Sequence, residues 1–449
     1  MVNKIKTVFL CSECGEDFAK WAGNCPTCGS WGTLSEMKIS QTKTKSTHSS
    51  EPKKPVSIDE VLANIPEHRI DTEIPEVNSV LGGGLVQSSI ILLSGEPGIG
   101  KSTLAFQLAG NVSPTLYVSA EESESQVALR ARRLGISSEN LNISSENRWE
   151  AIQKLLNIHK PKLLIIDSIQ TIYSEAIDGF PGSTSQVREC GTQILDFCKS
   201  NNITTILIGH ITKDGKIAGP KMLEHLVDVV LNIEGDNKTD FRILRCLKNR
   251  FGPTHNTGIF EMTEKGLLVI ENPSEVLLAE RTMQSSGSVV VPIMEGNRPI
   301  LIEVQGLVSP ATYGTPQRNT TGFDMRRLSM LLAILDKRLG YQLGTQDVFV
   351  NIVGGMKVSE PALDLAVALA ITSSYRDIPI SNKTLVAGEV GLAGEVRGIS
   401  HLDRRVNEAE KLGFEQLICP QSNLTKFKQK SNIDVNGVTS VFEAIEKVI

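Results

Sequence analysis

Short apolar runs rich in branched residues recur at 90–94, 115–119, 163–167, 204–209, 227–233 and 241–248, alternating with longer stretches of helical spacing. Runs apolar at nearly every position mark strands buried on both faces, and strands alternating with helices build a mostly parallel sheet. Past Pro273 the pattern changes. Apolar runs at 289–291 and 301–304, a strand at 347–353 and helices at 324–339 and 361–373 predict an α+β domain extending to Ile449. Residues 38–55 carry almost no apolar side chain and are read as a flexible tether. The expected organisation is a small module at 1–36, a linker at 37–56, an α/β core at 57–271 and a second domain at 272–449, without internal repeats.

A chain of 449 residues with 40% hydrophobic content has ample core for such domains. Its net charge of −5 provides no global cationic field, so any nucleic-acid binding must come from local basic patches. Only four residues, Thr7 to Leu10, separate the first charged residues from a cysteine, too few for the core of a signal peptide, and no segment approaches membrane-spanning length. A cytoplasmic protein without a membrane partner is expected.

The run ending at Ser94 leads into Gly95, Glu96, Pro97, Gly98, Ile99, Gly100, Lys101 and Ser102, then into Thr103 and a helix-like stretch. This is the phosphate-loop pattern in its strand-to-helix context. Glycines let backbone N–H groups curl around phosphates at the positive end of the helix. Lys101 is expected to face the β- and γ-phosphates of ATP. The Ser102 hydroxyl is expected to join the oxygen shell of Mg²⁺.

Three further run ends carry polar residues. Asp167 closes an apolar strand and is the expected Mg²⁺ carboxylate. Glu121 and Glu122 follow the strand after the phosphate loop, where a carboxylate can act on the attacking water; Glu121 is preferred and Glu122 is the alternative. His210 ends another strand and is a candidate γ-phosphate sensor. Behind it, Lys213, Lys216 and Lys221 in a Gly- and Pro-bearing segment are candidates for DNA phosphate contacts.

Cys11, Cys14, Cys25 and Cys28 form two C-x-x-C knuckles ten residues apart, a spacing that presents four thiolates to one tetrahedral Zn²⁺. Two disulfides are the alternative, and nothing in the chain points to an oxidising compartment. Gly15 and Gly29 follow the knuckles, where a turn calls for positive φ.

The phosphate loop with its acidic pair and Gly209-His210-Ile211-Thr212-Lys213, the four-Cys module, and Lys248-Asn249-Arg250-Phe251-Gly252 together resemble the RadA family of bacterial DNA-repair proteins, also called Sms. Its core is similar to the RecA-like ATPase core of recombinases and ring helicases. The resemblance spans essentially the whole chain. It implies a homohexameric ring that uses ATP to move on single-stranded and branched DNA and promote branch migration, with the RecA recombinase as partner. It also implies that Lys248 and Arg250 act in trans on a neighbour's γ-phosphate, since two more cations beside Lys101 would repel it.

Segments 347–355, 359–364 and 388–396 resemble the proteolytic domain of Lon proteases, which cut with a Ser-Lys pair. Here the matched positions are Ala362 and Asp403, so neither reacting group is present. The expected fold is therefore a four-Cys zinc module, a RecA-like α/β ATPase core and a proteolytically inactive Lon-like α+β domain. In the RadA family this last domain helps form the hexamer and supplies a DNA-binding face; its candidates are Arg318, Arg326, Arg327, Lys337, Arg338, Arg404 and Arg405. Two other functions stay open at this level: an ATP-dependent protease, and a nucleotide-gated docking protein without DNA motor activity.

Overall fold

The computed structural model describes residues 5–11, 17–18, 20–26, 29–40, 57–59, 69–137, 139, 141–209, 221–235, 240–282, 285–311, 314–428 and 431–449. Two compact units emerge: Met1–Ile74, Leu81–Asn232 and Leu247–Gly252 form the first, and Pro75–Val80, Ile233–Cys246 and Pro253–Ile449 the second.

The strands that build the first unit lie in the order Val229–Glu234, of which the part up to Asn232 belongs to it, then Ile90–Gly95, Thr204–Ile208, Leu163–Asp167, Thr115–Ser119, Leu141–Ser144. From Ile90–Gly95 onward each strand pairs parallel with the next. The middle four strands are buried at every position, as their mostly apolar sequences lead one to expect. The edge strand Leu141–Ser144 was not legible because its burial is mixed and its sequence, Leu-Asn-Ile-Ser, is only half apolar. Local chemistry sets the helix ends. Ser123 and Gln126 form a capping box at the start of Glu124–Leu134, and Gly135 at φ 68° closes that helix.

Register determines what meets at the sheet's C-terminal edge. Ser119 lies opposite Asp167, so both strands end at one level and the residues that follow them fall side by side. The Gly209 N–H donates to the Leu93 carbonyl, which brings the end of a third strand level with the phosphate loop.

In the second unit, Phe241–Asn249, Thr257–Thr263 and Gly266–Val269 form an antiparallel meander, whereas the sequence pattern had announced only a mostly parallel sheet. Connections this short leave no room for the crossover that parallel strands need. The Leu247–Gly252 segment, the end of that first strand and its turn, belongs to the first unit.

The rest of the second unit is a seven-stranded sheet in the order Arg318–Thr321, Gln346–Ile352, Arg298–Pro310, Ser288–Glu295, Thr384–Val386, Gln416–Pro420, Asp434–Val438. Val289, Val291 and Ile293 enter one apolar cluster and Val290 the other, so the strand's two-residue period covers both faces. The stretch from Pro361 begins as a 3-10 turn and becomes the helix Asp364–Arg376, buried from Asp364 through Ser373. That helix crosses the long strand at Gly306, where a β-carbon would sit 2.9 Å from the Ala370 carbonyl carbon.

Candidate active site

The loop after Ile90–Gly95 turns through three glycines in conformations that side chains rarely adopt: Gly95 at φ 149°, Gly98 at 76° and Gly100 at 113°. Ile99 is buried and pins the loop, while Glu96, Pro97 and Gly98 form its exposed rim. Gly100 occupies the N-cap of Lys101–Asn111 without a side-chain cap, which leaves the first N–H groups of the helix for an anionic ligand. Lys101 is buried, and its Nζ donates to the carbonyls of Gly95 at 3.0 Å and Glu96 at 2.9 Å. Burial lowers its pKa, and the nearby carboxylates of Asp167 and Glu121 work against that shift. Ser102 and Thr103 are half-buried on the first turn. A curled loop, an uncapped helix start and a lysine held across the loop together fit a triphosphate with its magnesium.

Asp167, almost fully buried, closes the neighbouring strand but one. Its Oδ2 accepts a hydrogen bond of 2.6 Å from the Tyr117 hydroxyl, which reaches across from the adjacent strand. Burial and then the Asp167 charge push the Tyr117 pKa well above its ordinary value, so the phenol stays protonated and donating. The Ser168 hydroxyl donates to Glu121 Oε1 at 2.5 Å. Glu121 is exposed at the strand end, whereas Glu122 is in an ion pair with Arg130. Lys101, Asp167 and Glu121 are thus electrostatic neighbours. Tyr117 and Ser168, which hydrogen-bond the two carboxylates, were not singled out from sequence. A tyrosine two positions before the end of a strand expected to be buried was the available signal, because a buried phenol needs a partner.

Lys248 and Arg250 are elsewhere. Lys248 Nζ donates to the carbonyls of Glu224, His225 and Val227 at 2.7, 3.3 and 2.8 Å. Arg250 pairs with Asp228, whose backbone N–H and Oδ2 both bond Ile90. Ile90 begins the strand that ends in the phosphate loop, about 16 Å away at the usual rise per residue. The turn is built rather than loose: Arg69 donates to the Phe251 carbonyl and Asn249 to that of Leu81.

Comparison with known proteins settles the family. The DNA repair protein RadA of Listeria monocytogenes is 45% identical over 452 residues, covering 99% of both chains. That of Bacillus subtilis is 46% identical over 451 residues, covering 98% of both. The chain belongs to the RadA family. Family models match residues 59–216 as an AAA domain, 9–36 as a rubredoxin metal binding domain and 305–423 as the subunit ChlI of Mg-chelatase. A KaiC-like protein from Pyrococcus horikoshii covers 46% of this chain and 100% of its own at 22% identity and a TM-score of 0.38, too weak a likeness to decide anything. This RadA-family chain is therefore an ATP-hydrolysing enzyme with a RecA-like phosphate-loop core, an N-terminal rubredoxin-like metal ribbon and a C-terminal Lon-like domain.

In the ribbon, Ile5–Cys11 pairs antiparallel with Leu34–Ser40 and with Asp17–Phe18. Cys11 and Cys25 are both buried, together with Leu34, and Phe9, Phe18 and Ala22 pack against them. The Gly29 N–H donates to the Cys25 carbonyl, and Gly29 takes φ 74°, the conformation expected of it. Two thiols drawn to the centre of so small a module fit a metal-organised core. Cys14, Cys28 and Gly15 lie outside the described residues, as do His210, Lys213 and Lys216 and the side chain of Lys221.

The Lon-like domain corrects one candidate. Arg405 is 0% exposed, its guanidinium bonded to the Ser400 and Pro292 carbonyls and paired with Glu360, so it is a core residue and not a DNA contact. Its position on the inner face of Leu402–Lys411 places it there, whereas neighbouring Arg404 is exposed. Arg327 pairs with fully buried Asp364, and Arg318 donates to the carbonyls of Gln317, Gln346 and Leu343. Arg326, Lys337 and Arg338 are exposed. Ala362, at the matched nucleophile position, is buried, and Asp403, at the matched lysine, is exposed.

Proposed function

We propose that this protein is a DNA-dependent ATPase that works as a homohexameric ring on single-stranded and branched DNA, driving branch migration of recombination intermediates alongside a RecA-type recombinase. The observation that carries the ring is the placement of Arg250. It is tied through Asp228 to Ile90, at the opposite end of the strand from its own phosphate loop, a gap longer than an arginine side chain. A finger so placed serves the nucleotide of a neighbouring chain, and Lys248 accompanies it on the same turn.

In this reading Lys101 faces the β- and γ-phosphates, Ser102 and Asp167 hold the Mg²⁺, and Glu121 takes the proton of the attacking water. The bound Mg²⁺ neutralises phosphate charge as it develops. Glu122, engaged by Arg130, is the less suited base. His210 relays the state of the γ-phosphate to the segment behind it, where Lys213, Lys216 and Lys221 meet DNA phosphates. Exposed Arg326, Lys337, Arg338 and Arg404, with half-buried Arg318 and Arg327, supply a second basic face. Cys11, Cys14, Cys25 and Cys28 hold one Zn²⁺, a closed site that organises the ribbon.

A branched-DNA assay with ATP, beside a Lys101→Ala control, tests the whole. ATP-dependent branch movement, DNA-stimulated hydrolysis and six-chain assemblies in native mass spectrometry are expected. ATP binding without any stimulation by DNA would leave a nucleotide-gated docking protein instead.

A further inference from the structure

The phosphate-loop helix and the Asp167 carboxylate are linked by one side chain that the roles above leave unused. Tyr117 is fully buried, and its ring meets Phe106 edge-on at 5.0 Å between centroids with 82° between the planes. Phe106 is itself buried on Lys101–Asn111, the helix that begins at the phosphate loop. The edge-on contact fixes the ring, and the ring aims its hydroxyl at Asp167 Oδ2, 2.6 Å away. A carboxylate with one oxygen already engaged by a fixed donor has its rotation set, and its second oxygen is directed in one way only.

We propose that Tyr117 is a positioning residue for magnesium: it locks Asp167 so that Oδ1 is presented to the metal and its water shell, and Phe106 makes that lock part of the phosphate-loop helix. Partners that orient a metal-binding carboxylate in this manner typically govern metal affinity by about 10-fold or more. The inference rests on the reading of Asp167 as the magnesium carboxylate.

The test is binding, not turnover. A fluorescent ADP analogue is titrated onto full-length protein with and without Mg²⁺, and the gain in nucleotide affinity that Mg²⁺ confers is compared among variants. Tyr117→Phe keeps the ring and its contact with Phe106 and removes only the hydroxyl. Its metal-free affinity is expected to match the wild type, while the Mg²⁺-dependent gain falls about 10-fold and is partly recovered with Mn²⁺, which binds such sites more tightly. An unchanged gain overturns the proposal. An equal loss of affinity with and without Mg²⁺ also overturns it, because that is the signature of a merely structural residue.

Asp167→Asn, measured in parallel, separates the two layers. If Asp167→Asn keeps the full gain, the role given to Asp167 fails; if it loses the gain while Tyr117→Phe keeps it, only the role of Tyr117 fails. Should Tyr117→Phe not fold, Phe106→Leu, which frees the ring and retains the hydroxyl, is measured in the same way. A gain equal to wild type in that variant overturns the proposal.

Discussion

Arg250 Nη1 lies 3.3 Å from Oδ1 of Asp228, and of the two it is the aspartate that is buried. Lys199 shares the same oxygen at 3.0 Å, while Oδ2 of Asp228 accepts the Ile90 N–H. The arginine is thus an exposed side chain on a fixed root, available to turn outward without disturbing the sheet. A cation that stabilises transition-state charge contributes to turnover and little to ground-state binding.

Arg250→Ala should therefore leave nucleotide affinity within about twofold of wild type and lower ATP turnover by about 10³-fold. Mixing decides whether it acts on a neighbour. Rings that combine Arg250→Ala chains with Lys101→Ala chains contain interfaces with an intact loop and an intact finger, and should regain part of the activity that each variant lacks alone. Mixed rings without any recovery would place Arg250 in cis or in a structural role.

The two acids after the phosphate-loop strand are separated by their partners. Glu121 is exposed and receives the Ser168 hydroxyl, while Glu122 is engaged by Arg130. Glu121→Gln is expected to bind ATP normally and to lose at least about 10²-fold in turnover, because an amide keeps the shape but accepts no proton. Glu122→Gln should retain most of its turnover, and Lys101→Ala should lose ATP affinity itself. Normal hydrolysis in Glu121→Gln would hand the base to Glu122.

Much of this site was legible before the structure because its chemistry is written in short segments. The phosphate loop needs glycines at fixed offsets, and an unbroken apolar run ending in Asp167 beside that loop is read as a buried strand carrying a carboxylate to its end. What the sequence left hidden depends on register between strands distant in the chain. Tyr117 and Asp167 are fifty positions apart, and only the pairing of Ser119 with Asp167 brings the phenol within reach. Arg405 shows the same limit in reverse. Arg404 and Arg405 are indistinguishable by composition, and which of them enters the core follows from the helix face alone.

The metal ribbon should carry one zinc per chain, measured by elemental analysis of purified protein. Cys25→Ser removes a ligand from the centre of a module too small to hold together by apolar packing, so it should lose the metal. The RecA-like core has its own apolar cluster, built from strands such as Ile90–Gly95 and Leu163–Asp167. Nucleotide affinity in Cys25→Ser is therefore expected to stay within about twofold of wild type. Full zinc occupancy in that variant would refute the ligand assignment.

Stability measurements distinguish Arg404 from Arg405. Arg404 is exposed and donates to one carbonyl, that of Asn297, so Arg404→Ala should change stability by no more than about 0.5 kcal/mol. Arg405 is 0% exposed and is the partner of Glu360, whose other oxygen accepts the Met294 N–H at 2.7 Å. Removing the guanidinium leaves Glu360 without its counter-charge and strands the Pro292 and Ser400 carbonyls, a loss of about 3–5 kcal/mol for breaking a buried pair from one side. Urea unfolding of the two variants should show this difference. Because the Arg405 charge never reaches the surface, the salt dependence of DNA binding should match the wild type in folded Arg405→Ala, whereas a loss of about one released counterion would return Arg405 to the DNA-binding face.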